Sequence, residues 1–134
     1  MGTISEAFRF VDLFAGLGGF HVALDELEGR GVFAAEWEPT LKALYKANFG
    51  IEAWGDLNGL SRDKIIARNV PDHHVLTAGV PCQPFSKAGD QLGFEDTHQG
   101  NLFFRVHDIL RVKRPQHFIL ENVPNILKHA GGRT

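Results

Sequence analysis

The sequence predicts an α/β fold, a mostly parallel sheet with helices on both faces, and three observations carry that reading. Short apolar runs alternate with longer amphipathic segments, and Gly- or Pro-containing joints separate them. No repeat, linker or low-complexity stretch breaks the alternation. With 134 residues, 43% hydrophobic composition and eleven Phe, the chain has material for one domain with a real core.

Taken in order, "FRFVDLF" is a buried strand, followed by the turn "AGLGG" and a helix "FHVALDELE" that ends near Gly29. "GVFAAEWE" is a second strand. "PTLKALYKANFG" is a helix with Pro39 in its first turn and Gly50 at its end. A weak third strand is expected around "IEAWGD", then a polar helix or loop from Ser61 to Asn69. "HHVLTAGV" is the fourth strand, and a Gly-rich loop runs from Pro81 to Gly100. "NLFFRVHDILRVK" places Leu102, Phe103, Val106, Ile109 and Leu110 at helical spacing, and "QHFILENV" is a fifth strand.

A net charge of −2 excludes a wholly basic nucleic-acid protein while leaving room for a local basic patch. The start "MGTISEAFRF" has no apolar leader core, its Glu6 breaks the myristoylation pattern, and no apolar run approaches the roughly 18 residues of a membrane span. A soluble, intracellular protein without a membrane partner is expected. Seven scattered His have no ligand spacing and no Cys partner, so no metal site is predicted. Arg111, Lys113 and Arg114 end a helix, where positive charge suits the dipole, and Arg62, Lys64 and Arg68 read as surface.

In open α/β sheets ligands bind beyond the carboxyl ends of the strands. The unusual residues of this chain fall there: "DLFAGLGGF" after the first run, Glu36 and Trp37 after the second, Asp56 after the third, "GVPCQ" after the fourth and "ENV" after the fifth. Gly16, Gly18 and Gly19 with Glu36 twenty residues beyond Gly16 fit a dinucleotide loop in part, but His21 stands where its third glycine would be. An adenosyl ligand without a pyrophosphate asks less: a close backbone, Glu36 for ribose hydroxyls, Trp37 as a flat wall and Asp56 as an acceptor for the exocyclic amine. Cys82, the single cysteine, excludes an internal disulfide and is either a buried small hydrophobe or a reactive thiol. Its place between Pro81 and Pro84, neither able to continue a ladder, favours a displayed thiol and hence a nucleophile.

"DLFAGLGGF", "EWE", "GDL", "GVPCQPFS", "GFED" with "GNLFF", and "LENV", in this order and spacing, resemble the N-terminal motifs of the cytosine-5 DNA methyltransferases over nearly the whole chain. The resemblance implies a Rossmann-like S-adenosylmethionine-dependent methyltransferase fold with about five of its strands. It also implies methyl transfer from S-adenosylmethionine to carbon 5 of cytosine in double-stranded DNA, as in restriction–modification, leaving S-adenosylhomocysteine. Cys82 matches the nucleophile that adds to carbon 6. Glu121 matches the glutamate that holds the base and its nitrogen 3 proton, a role that a buried strand end and a raised pKa would suit. By the same match, Phe14, Gly16, Leu17, Gly18, Glu36, Trp37, Asp56, Leu57, Pro81 and Leu102 would hold the cofactor. Gln83 and Ser86 would face DNA, and Asn122, in the substrate set, would hold the active-site backbone. The loop from Gln83 to Gly100 would be the lid over a flipped base.

The chain departs from the family at "EDTHQGNLFF", where His98 and Gln99 precede a glycine that often follows an arginine. The resemblance places residues 1–134 as the N-terminal part of the catalytic, cofactor-binding domain. The Gln-x-Arg-x-Arg segment, the remaining strands, the target-recognition domain and the C-terminal helix are absent from them. The expectation is a truncated or split half, inactive alone, whose last strand is an exposed edge and which pairs with a complementary C-terminal polypeptide or with itself. A bacterial or phage cytoplasm, or a eukaryotic nucleus, is the compartment implied. The alternative function is a non-catalytic module that holds S-adenosylmethionine or a protein partner.

Overall fold

The computed structural model describes residues 7–79 and 99–121, the side chains of 99–101 excepted. Four strands, β1 (Arg9–Leu13), β2 (Arg30–Ala35), β3 (Val75–Gly79) and β4 (His117–Glu121), form one sheet in the order β2-β1-β3-β4, and every pairing is parallel. Parallel neighbours need a crossover, and helices supply it. These are α1 (Gly19–Glu26) between β1 and β2, α2 (Pro39–Phe49) and α3 (Asp63–Asn69) between β2 and β3, and α4 (Gln99–Lys113) before β4.

Residue period two along β1 divides the core. Val11 and Leu13 face Leu76 and Ala78 of β3, Ile66 of α3, and Leu102, Val106 and Ile109 of α4 in one cluster. Phe10 and Asp12 face the other way, toward α1 and α2, where the Phe10 ring meets His21 edge-on at 4.9 Å and Tyr45 packs with Ala15, Ala34 and Ala53. Both faces of β1 are therefore covered, and Phe10, Val11 and Leu13 are fully buried.

α2 begins and ends as its sequence predicts. Glu38 caps it by accepting from Thr40 N (3.2 Å) and Leu41 N (3.0 Å), Pro39 occupies the first turn, and Gly50 closes it at φ 74°. The polar stretch after Ser61 resolves into α3, and α4 buries Leu102, Val106 and Ile109 from the predicted set. Arg111 binds both Asp63 oxygens (2.7 and 3.1 Å) and Lys113 reaches Asp72 (3.0 Å), so these helix-end charges tie α4 to α3 and the turn after it.

One expected strand is missing. Around "IEAWGD" only a single parallel bridge forms, Ala35 with Trp54, so the described sheet has four strands rather than five. Gly55 and the Asp56 cap of a 3-10 turn at Leu57–Gly59 bend the chain away before a ladder can extend.

Candidate functional site

From β1 the chain goes to β2 on one side, while β3 lies on the other, so the carboxyl ends of β1 and β3 flank the point where connections diverge. The turn that follows β1 alternates into the left-handed region, at Phe14 (φ 55°), Gly16 (φ 56°) and Gly18 (φ 89°). For Phe14 that conformation costs on the order of 1 kcal/mol. At Gly18 a side chain is excluded twice, by φ and by the Phe49 ring that a Cβ would run into. The turn is tied to β2 by Ala15 N–H donating to Ala35 O and Gly16 N–H donating to Glu36 Oε1, both at 2.9 Å.

Glu36 is the hub. It is only 7% exposed, and its second oxygen, Oε2, accepts from Glu38 N at 3.0 Å. Two backbone donors hold the carboxylate in one orientation, and each of its oxygens retains acceptor capacity for a further donor. Next along the chain, Trp37 is 60% exposed. Trp54 then places the following segment beside β2, donating from N to Ala34 O (2.8 Å) and accepting at O from Glu36 N (2.9 Å). Asp56 is exposed; its Oδ1 accepts from Asn58 N (2.9 Å) and its carbonyl from Trp54 Nε1 (3.1 Å).

Phe14, Glu36, Trp37, Asp56, Leu57 and Leu102, six of the expected cofactor residues, line one cleft with Ala35 and Gly55. Gly16 touches it through the Glu36 bond, Gly18 is the N-cap of α1, and Leu17 stands 72% exposed on the same turn. The enclosed space is only about 10 Å³, room for one water, so these residues build one wall of a cleft rather than a closed pocket. Ala35 and Gly55 escaped the sequence reading. Both lack a functional group, and their only signal was adjacency to Glu36 and Asp56.

His21, the residue that spoils the dinucleotide pattern, is a core residue. Its ring stacks on Phe49 at 3.9 Å, its Nδ1 lies 2.6 Å from the Tyr45 hydroxyl, and burial pushes its pKa down. The third glycine of a dinucleotide loop serves close helix–strand packing. Here space comes from Gly31 instead, where a Cβ would lie 2.7 Å from His21 Cε1.

Glu121 ends β4 opposite Gly79, and a Cβ at Gly79 would lie 3.5 Å from its Oε1. The expected burial of this carboxylate is not met. It is exposed, because β4 is the last strand of the described sheet and nothing among the described residues covers it. Pro81, Cys82, Gln83, Ser86 and Asn122 lie outside the described residues.

One ionisable group went unread in the sequence. Asp12, in the middle of β1, is 1% exposed; its Oδ1 accepts from the Thr77 hydroxyl (3.0 Å) and its Oδ2 has no partner among the described residues. Burial pushes its pKa up to about 7, the Thr77 bond opposes that shift in part, and the Glu36 carboxylate adds to it.

Residues 8–134 match the family model of the C-5 cytosine-specific DNA methylases. The chain is 44% identical over 127 residues to the type II methyltransferase M.NgoBI of Neisseria gonorrhoeae, covering 95% of this chain and 38% of that protein. To M.HpaII of Haemophilus parainfluenzae it is 45% identical over 132 residues, 98% of this chain and 36% of the relative. It thus spans little more than a third of the length of these relatives. Among solved structures, the S. pombe Dnmt2 methyltransferase superposes with a TM-score of 0.68 at 24% identity, over 92% of this chain and 38% of the other. The Entamoeba histolytica methyltransferase EhMeth gives 0.73 at 19% identity, over 95% and 41%. At those identities the structures establish the fold, which is that of the methyltransferases. No helix among the described residues is long and apolar enough to cross a membrane. With a family model matched over almost its full length and relatives sharing over two-fifths of its residues, the chain belongs to the C-5 cytosine-specific DNA methylase family.

Proposed function

We propose that this chain is the cofactor-binding and catalytic portion of a cytosine-5 DNA methyltransferase acting on duplex DNA in a bacterial cytoplasm. The observation that carries the reading is the Glu36 carboxylate, oriented by Gly16 and Glu38 N–H groups at the switch point, with Trp37, Asp56, Leu57 and Leu102 around it. Those residues fit an adenosyl group. Glu36 accepts from the ribose hydroxyls, Trp37 and Leu57 flank the adenine, Asp56 takes its exocyclic amine, and Phe14 and Leu102 close the apolar side. Gly16, Leu17, Gly18 and Pro81 bring backbone against the remainder.

Bound there, S-adenosylmethionine supplies an electrophilic methyl group and leaves as S-adenosylhomocysteine. The rest is the work of side chains. The Cys82 thiolate adds to carbon 6 of a flipped cytosine and raises the electron density at carbon 5. Glu121 holds the proton at nitrogen 3, Gln83 and Ser86 contact the DNA, and Asn122 steadies the backbone beside them. Loss of the carbon 5 proton then expels Cys82. Gly79 pairs with Glu121 and precedes Cys82 by three residues, a reach of at most about 10 Å, which supports a shared pocket for the two groups.

Calorimetry tests the cofactor half. Wild type should bind S-adenosylmethionine and not NADH, and Glu36→Ala should weaken binding roughly 10- to 100-fold, the worth of hydrogen bonds to a charged acceptor. Binding of NADH in its place, or an unchanged affinity in the variant, would defeat this assignment.

The exposure of Glu121 favours a second reading for the chain by itself, a cofactor-binding module without activity. A covalent adduct separates the two. Supplied with the further length that the relatives possess, the wild type should be trapped by DNA containing 5-fluorocytosine but Cys82→Ser should not; no adduct in either protein would leave the module reading standing.

A further inference from the structure

Asp12 and Glu36 are the two buried carboxylates among the described residues, and the reaction as proposed uses only Glu36. Asp12 sits in register with Ala34 of β2 and Thr77 of β3, and the Thr77 hydroxyl donates to its Oδ1 at 3.0 Å. The ionisable groups on the elements packed over that face are Glu36 at the end of β2, Tyr45 from α2 and His21 from α1, while β3 presents only Thr77. None of them is a cation near pH 7. Burial pushes the Tyr45 hydroxyl up and the His21 ring down, so both are neutral, and Glu36 is itself an acid. Asp12 therefore keeps a proton that an exposed aspartate would lose, with a pKa raised to about 7 by burial, against the Thr77 bond and with the Glu36 charge adding to it.

The position of this acid gives the proton a use. In the order β2-β1-β3-β4, β1 lies between the strand that delivers Glu36 and the pair that delivers Gly79 and Glu121. A methyl donor whose adenosyl group is held at Glu36 and whose methyl reaches a base beside Glu121 spans the carboxyl end of β1. Asp12 lies two residues before Phe14, about 7 Å beneath that end. Phe14 to Gly19 carry no ionisable side chain, so no other residue of β1 or its turn beyond Asp12 answers a charge placed there. S-adenosylmethionine brings such a charge on its sulfonium, and S-adenosylhomocysteine does not. A unit charge about 10 Å from a shielded carboxyl group changes its proton affinity on the order of 10-fold.

We infer that Asp12 is a specificity-determining residue that tells the methyl donor from the spent product: it gives up its proton to solvent when a sulfonium lies over the end of β1, and the resulting carboxylate favours the cationic ligand. The inference rests on the cofactor reading above. Asp12 touches neither ligand, and no bond to carbon or sulfur changes; the one exchange is a proton passed to the buffer as the cation binds.

Calorimetry in two buffers of different ionisation enthalpy counts that proton. Asp12→Asn keeps the acceptor for Thr77 and cannot ionise, so subtracting it removes the contribution of the ligand's own amine. At pH 7 the wild type should release about 0.3 to 0.5 proton more than Asp12→Asn on binding S-adenosylmethionine, and less than about 0.1 more on binding S-adenosylhomocysteine. An analogue with an amine-bearing carbon in place of the sulfonium should behave as the methyl donor does, because it carries the same charge without the methyl group. At pH 7.5 the variant should lose about 10-fold of the preference for S-adenosylmethionine over S-adenosylhomocysteine. Thr77→Val repeats the test without touching the acid: with the donor to Asp12 removed, the midpoint of proton release should move to higher pH. Three results overturn the inference and leave the cofactor reading intact: equal release with both ligands, release undiminished in Asp12→Asn, or S-adenosylmethionine bound by the wild type with no excess release. Failure of the wild type to bind either ligand overturns both.

Discussion

β1 and β4 are both five-residue strands of one parallel sheet, each with three apolar residues, yet β1 is almost wholly buried and β4 wholly exposed. The same contrast holds for the acid each carries. Asp12 sits in the core with one oxygen unpaired among the described residues, whereas Glu121 stands at a strand end that none of them covers. The difference does not come from the strands themselves. β1 has a strand on each side and helices on both faces, whereas β4 has, among the described residues, one strand neighbour and an open groove beside it. A strand is stabilised by what meets it, and among the described residues more meets β1 than β4.

Truncating one aromatic in each strand breaks the comparison most directly. Phe10→Ala should destabilise the chain by about 3–5 kcal/mol, by loss of burial and the cavity left against His21, and Phe118→Ala by no more than about 0.5 kcal/mol. Urea unfolding of the two variants reads the difference. Equal losses would mean that β4 is covered in solution.

A pH series sharpens it at the buried acid. The folded-state pKa of Asp12 lies above its unfolded value, so the folded protein binds the extra proton, and its contribution is complete below about pH 4 and lost as pH rises to about 7. The loss across that window is on the order of 4 kcal/mol. Asp12→Asn keeps the acceptor for Thr77 and cannot ionise, so the difference between wild type and variant should grow with pH and then level off. His21 and His73, whose pKa values burial pushes down, slope the opposite way in both proteins and cancel in that difference. A flat difference profile would place Asp12 in contact with water.

Much was legible in one dimension because it is local. Glu38, Pro39 and Gly50 define α2 through a cap, a fixed φ and a left-handed stop, all set by nearest neighbours. The cleft was legible because chemically distinct residues fall at successive strand ends, and six of the residues expected there do meet in it. The weak third strand was misread because period two in "IEAWGD" cannot report that Gly55 and Asp56 turn the chain after a single bridge.

The sequence by itself determined the alternation of strands and helices, the caps, and the family, since each depends on residue types at short or fixed spacing. Only the tertiary structure decided that Asp12 is a buried acid beside Thr77, that His21 fills the space beneath Gly31, and that Phe118, Ile119, Leu120 and Glu121 are exposed with no cover among the described residues. Burial belongs to pairs of elements far apart in the chain, and a residue's solvent is set by the partner that reaches it.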